Sequence, residues 1–197
     1  MDVVNSYRRV KASNSTRIAS VVIMGSLMAV LTACGQSESG PQKSAAISEA
    51  DVLAAQKKWG DGIVAIGDTY QAGGDYAARA SQHINDLYAY GKSEVLFKPT
   101  LASDEQFRAT FGGALSYFVG GEIEEDKGFA IKPWSAVRFG EQQIFTDSDS
   151  AVAMGNYYFT PDGTSEEVKV EYTFGYIRDD KGDLRINVHH SSLPHSG

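Results

Sequence analysis

Apolar positions recur at three- and four-residue steps through the first part of the chain and at alternate residues through the second, and this change of period divides the fold. Ser48 followed by Asp51 suits a helix N-terminus, and Val52, Ala55, Trp59, Ile63, Ile66 and Tyr70 then mark one helical face until Gly73-Gly74. Asp75 can cap a second helix, with Tyr76, Ala80, His83 or Ile84, and Leu87 on its stripe and Gly91 as its stop. Ser103 with Gln106 three residues on predicts the start of a third helix, in which Phe107, Phe111, Ala114, Leu115 and Phe118 form the buried stripe. Tyr117 falls to the side of that stripe, where its ring reaches the core and its hydroxyl a cavity. The acidic run Glu122 to Asp126 that follows reads as a solvated turn.

Strand-like alternation predicts Glu94–Thr100 as a short strand confined to an edge by Pro99, then Phe129–Phe139, Gln143–Phe145, Ala151–Thr160, Val168–Ile177 and Leu184–Ser192. Short turns such as Pro161-Asp162-Gly163 and Asp179-Asp180-Lys181-Gly182 make the later neighbours antiparallel. Three helices followed by such a meander predict an α+β fold, with three N-terminal helices packed on a curved antiparallel sheet that forms a cone around an internal pocket.

The N-terminus carries a different signal. Arg8, Arg9, Lys11 and Arg17 precede an apolar run from Ile18 to Leu31, too short to span a bilayer comfortably, and Leu31-Thr32-Ala33-Cys34-Gly35 resembles a bacterial lipobox. The expected organisation is a lipoprotein signal peptide over 1–33, a Ser/Gly/Gln/Ala-rich tether over 34–47 beginning at a lipidated Cys34, and one domain over 48–197. The implied address is the periplasmic side of the bacterial cell envelope, with the outer membrane favoured by Gly35 after the cysteine. Four of the 18 basic and one of the 25 acidic residues lie in the first 33, so the remainder holds 14 against 24. An excess of that size repels nucleic acid and anionic lipid, which leaves the lipid on Cys34 as the membrane contact.

Candidate chemistry concentrates in Leu184–Pro194, where a strand ends in His189-His190-Ser191-Ser192. Successive strand side chains face opposite ways, so His190 and Ser192 continue the face of Ile186 and Val188, while His189 and Ser191 share the other. The same four residues also suit a plain strand end whose polar groups satisfy one another near the surface.

Several blocks resemble the iota class of carbonic anhydrases: Phe97-Lys98-Pro99-Thr100, Ala114-Leu115-Ser116-Tyr117-Phe118 with Gly120-Gly121, Met154-Gly155-Asn156-Tyr157-Tyr158-Phe159-Thr160, and His189-His190-Ser191-Ser192-Leu193-Pro194. That family is similar to the association domain of calcium/calmodulin-dependent protein kinase II and has a nuclear-transport-factor-2-like cone fold. The resemblance runs from about Trp59 to Pro194. It implies reversible hydration of carbon dioxide to bicarbonate in the pocket of a homodimer. It also implies that the family's pocket threonine, tyrosine, histidine and serine correspond to Thr100, Tyr117, His190 and Ser192. A one-residue change of register would substitute His189 and Ser191, which are candidates for substrate contact in either case.

Zinc is the common means of activating a water for such a reaction. Ligands for it are scarce here, because a three-histidine site would need His83 from a helix and His195 from the chain end alongside one of the adjacent pair. The family is described with metal-free and metal-dependent members; metal-free catalysis is favoured, with zinc or manganese as alternatives. His190 would then accept the proton of the attacking water, and the hydroxyls of Thr100, Tyr117 and Ser192 would hold the oxygens. Two other readings compete: a lipid-anchored binding or oligomerisation module of the same fold, and an isomerase-type acid/base enzyme built on Glu171, the one acid inside an apolar strand run.

Overall fold

The computed structural model describes residues 45–197. The apolar run Ile18 to Leu31, Cys34 and the tether as far as residue 44 lie outside the described residues. Among those described, no helix is long and apolar enough to cross a membrane.

Helix α1 spans Glu49–Gln71 and begins with the anticipated reciprocal cap. The Ser48 hydroxyl accepts from the Asp51 amide at 3.2 Å, and the Asp51 carboxylate accepts from the Ser48 amide at 2.9 Å. Folded structure reaches further back than residue 48, since Ile47 is buried and the Arg178 guanidinium donates to the carbonyls of Ala45 and Ala46. Helix α2, Tyr76–Leu87, is capped by Asp75 and buries Ala80, His83, Ile84 and Leu87. Where the two helices cross, a Cβ on Gly62 would stand 2.1 Å from the His83 ring, so only glycine lets this imidazole lie against α1.

The third helix starts later than the sequence predicts. Helix α3 spans Phe111–Val119, and its N-cap is Thr110, whose hydroxyl accepts from Gly113. The Ser103 signal has another use: the amides of Ser103, Asp104 and Glu105 and the Ser103 hydroxyl all donate to the Glu125 carboxylate. Phe107, expected in the stripe, is 64% exposed. The acidic run is therefore an anchor and not a solvated turn. Asp126 and Glu125 receive the Arg108 guanidinium at 2.7 and 3.3 Å, and the Arg108 side chain is wholly buried.

The sheet has five strands in the order β1-β5-β4-β3-β2, with β1 Leu96–Lys98, β2 Trp134–Thr146, β3 Ser150–Pro161, β4 Val168–Arg178 and β5 Leu184–Ser192. The predicted strands Phe129–Phe139 and Gln143–Phe145 merge into one strand, β2, which starts only at Trp134 after a turn over residues 129–133 and is interrupted by a bulge between Phe139 and Gln142. Four strands form the expected antiparallel meander, but β1 adds to its edge in parallel with β5, so the sheet is mixed. Bulges in β2 and β5 bend and twist the ladder and give the sheet its curvature. Opposite the β2 bulge, a Cβ on Gly155 would lie 2.3 Å from the Glu141 carbonyl, and glycine alone fits.

The concave face packs against α1 through Trp59, whose ring meets Phe139, Tyr157, Phe159 and Phe174 edge-on at centroid distances of 5.6 to 6.3 Å. Replacing Asp126 with Ala leaves Arg108 charged in the interior and is expected to cost about 3–5 kcal/mol in urea denaturation. Asp61→Ala, which removes the exposed Lys57 pair, is expected to change stability by less than about 1 kcal/mol in the same assay.

Candidate functional site

A single extra residue in β5 determines which histidine faces the interior. Ile186 pairs with Tyr176 and Val188 with Gly175, so Asn187 has no counterpart on β4. The bulge reverses the alternation after Ile186. Ile186 is buried, Val188 turns toward the outer face, and His189 and Ser191 turn inward at 2% and 4% exposure. His190 is exposed and Ser192 half-buried on the outer face, which overturns the assignment that extends the Ile186 and Val188 face in a straight line. Strand β1 holds the same register, because Phe97, fully buried, pairs in parallel with His189 and the outward Lys98 pairs with His190.

The inward group is close-set. The Thr100 hydroxyl, at the end of β1, donates to the Ser191 hydroxyl at 2.8 Å. The His189 ring stacks on Phe97 at 4.6 Å with an interplanar angle of 12°, and meets Phe174 edge-on at 4.3 Å. Tyr117, 6% exposed, crosses the same Phe97 ring at 5.7 Å and 87° and stacks on Phe129. Tyr117 and His189 thus meet on Phe97, and the Thr100–Ser191 pair lies on the same inward side, whereas His190 and Ser192 are on the other side of the sheet.

Behind His189 lies a chain of directed hydrogen bonds. The Trp59 indole N–H donates to the Tyr88 phenol at 3.0 Å, and that phenol lies 2.8 Å from His189 Nδ1. His189 Nε2 is buried with no hydrogen-bond partner among the described residues. Burial sets the electrostatics, since a charged form would lose its hydration. It holds the His189 imidazole well below the usual histidine range, helped by the neighbouring His190 and by His83. His83, also enclosed, is pushed down to about 3, again chiefly by burial. The phenols of Tyr88, Tyr117 and Tyr157 are all raised by burial and stay protonated.

Tyr157 is a further member of the group that side-chain patterning did not single out. Its ring is 2% exposed, and hydrogen bonding to Ser191 and Thr100 opposes the upward shift of its phenol. The available signal was its place on the inward face of β3 within the Met154–Thr160 block. A small pocket of about 110 Å³ opens beside Tyr117 and Leu101, lined by Glu125 and Asp126 as well as Lys127 and Lys132. On the opposite side of the sheet, His190 and Ser192 line a shallow depression of about 450 Å³ with Glu171, whose carboxylate accepts from the Ser192 hydroxyl at 3.2 Å. Glu171 is exposed, which leaves an isomerase-type carboxylate in an apolar pocket without a candidate there. Among the described residues, no cluster of three or more histidine, cysteine, aspartate or glutamate side chains is arranged to hold a metal ion.

Residues 50–193 match the family model of the metal-independent carbonic anhydrases. The chain belongs to that family. A Nostoc sp. protein named metal-independent carbonic anhydrase is 46% identical over 160 residues, which cover 79% of this chain and 78% of the relative. The crystal structure of a cyanobacterial iota-carbonic anhydrase complexed with bicarbonate superposes with a TM-score of 0.74 at 44% identity, covering 77% of this chain and 95% of that one. A nuclear-transport-factor-2-like protein from Salmonella enterica, 14% identical, covers 75% of this chain and 91% of its own with a TM-score of 0.52, a likeness of fold. The family and fold implied by the sequence resemblance are those found.

The two enclosed histidines make stability depend on pH. Both bind a proton in the unfolded chain below about 6.5 and not in the folded one, so each favours the folded state above 6.5 and opposes it as pH falls. Chemical denaturation between pH 6 and 5 is expected to show a loss approaching about 1.4 kcal/mol per pH unit from each histidine. His83→Leu should remove one of these contributions, and an unchanged slope would contradict the burial of a neutral His83.

Proposed function

We propose that this protein is a carbonate dehydratase that hydrates carbon dioxide reversibly to bicarbonate without a metal ion, in an internal pocket between the helices and the curved sheet. The observation that carries this reading is the Thr100–Ser191 hydroxyl pair on the same inward face as His189, within a chain of the metal-independent family. The bicarbonate in the cyanobacterial relative's structure supports the choice of substrate.

The surroundings of the His189 ring are largely aromatic, with the Thr100–Ser191 hydroxyl pair on the same inward side. Carbon dioxide needs little beyond apolar walls to enter, but its addition product is an anion. Ser191, whose oxygen accepts from Thr100, and Tyr117 supply O–H groups that can donate to the oxygens on which charge develops, and their positions are set before the reaction begins. Such groups act more strongly in a dry site than in water.

Homodimerisation is supported by the outer sheet face. Phe145, Val152, Gly175, Val188 and Leu96 form one cross-strand row over all five strands, and Phe145, Val152 and Leu96 are 66%, 44% and 56% exposed. A second copy covering that row would also cover the outward His190 and Ser192. Attachment to the cell envelope through a lipid on Cys34, facing the periplasm and on the outer membrane, rests on the basic, apolar and lipobox segments in the sequence.

Stopped-flow carbon dioxide hydration tests the assignment. Thr100→Ala and Ser191→Ala are expected to lower kcat/KM on the order of 100-fold with the fold retained, while Ser192→Ala stays near wild type. Activity should also survive exhaustive chelation. A folded wild type without activity would favour the binding-module reading, and a chelator-inactivated enzyme rescued by zinc would refute the metal-free one.

A further inference from the structure

We infer that His189 takes part in the proposed reaction as a neutral hydrogen-bond donor through Nε2, its tautomer fixed by Tyr88, which is therefore a positioning residue. This inference rests on the carbonate dehydratase reading of the site. It departs from the assignment of the pocket histidine as the proton acceptor.

Proton directions follow from what each group can do. An indole nitrogen only donates, so the Trp59 N–H occupies a lone pair of the Tyr88 oxygen. The Tyr88 hydrogen must then point elsewhere, and His189 Nδ1 at 2.8 Å is the one remaining partner among the described residues. Nδ1 thus accepts, and in a neutral imidazole the ring proton lies on Nε2. Tyr88 is fully enclosed and keeps its proton, and the burial that depresses His189 keeps the ring uncharged. The titratable groups that bear on this ring are Tyr88, His83 and His190.

Nε2–H is enclosed and unpartnered in the protein, on the inward face that also carries Ser191. A buried donor without an acceptor is costly, and an oxygen of bound carbon dioxide or bicarbonate would satisfy it. Because Nδ1 is already engaged and Nε2 already protonated, the proton released when water adds to carbon dioxide passes to a second water molecule and on to bulk solvent, not to His189. Trp59 and Tyr88 therefore extend the site by two residues that never touch substrate.

Long-range ¹H–¹⁵N correlation spectra of the ¹⁵N-histidine-labelled chain test this without reference to activity. The wild type is expected to show His189 as the neutral Nε2–H tautomer, unchanged between pH 8 and pH 6. Tyr88→Phe is expected to mix the two tautomers and to lower kcat by about 10–100-fold with KM little altered, in the range of lost orienting contacts elsewhere. An Nδ1–H or charged His189 in an active wild type would overturn the inference and leave the proposed reaction standing. So would a Tyr88→Phe variant with the wild-type tautomer and kcat. An inactive wild type with the Nε2–H signature would instead count against the reaction.

Discussion

The interior of this protein depends on the pairing of β1 with β5 and on the one unmatched residue, Asn187, that permits it. Adjacent strands share a face at each paired position, so the choice of Phe97 as the inward residue of β1 carries His189 inward with it. From there the row continues across the sheet through Phe174, Ala153 and Ile144. Without the bulge, the same strand would either turn His190 inward together with Ile186 or keep His189 inward and turn Ile186 outward. The apolar interior thus receives an imidazole at one position, and a serine hydroxyl two residues further along, from a strand that begins as ordinary core.

Enclosure then sets the chemistry. Trp59, Phe97 and Phe174 surround the His189 ring and make a charged imidazole costly, while the tyrosines around it are held as phenols. What remains is a set of neutral donors and acceptors at fixed positions: Thr100 to Ser191, Trp59 to Tyr88, and Tyr88 to His189. Such an arrangement suits a small, weakly polar substrate that becomes an anion, because donors already in place need not reorganise as charge develops. The same enclosure costs stability in acid, where the unfolded chain gains protons that the folded one refuses.

Helix α1, helix α2 and the later strands were legible in the sequence because their apolar periods are long and their caps and turns regular. Ser48, Asp75 and the Asp-Gly and Asp-Lys-Gly turns act as their types imply. Two features were hidden. The Ser103-to-Gln106 pattern imitates a helix start, but the Glu125 carboxylate, distant in sequence, takes the amides such a cap would serve. In β5, Val188 lies in an apolar row on the outer face of the sheet, so hydrophobicity alone could not tell inside from outside. Only the partner strands could have resolved it, through Gly175 opposite Val188 and Phe97 beside His189. The resemblance pointed to a threonine, a tyrosine, a histidine and a serine, and the bulge determines which adjacent His and Ser of β5 face inward.

In the proposed reaction, substrate is held on the concave face by Thr100, Tyr117, His189 and Ser191, the pair from β5 being turned inward by the bulge at Asn187. A crystal structure of this protein soaked with bicarbonate tests this placement. A planar anion accepting from the Ser191 hydroxyl and from His189 Nε2, beside Thr100, is expected. Bicarbonate bound on the outer face beside His190 and Ser192, with the interior empty, would contradict it.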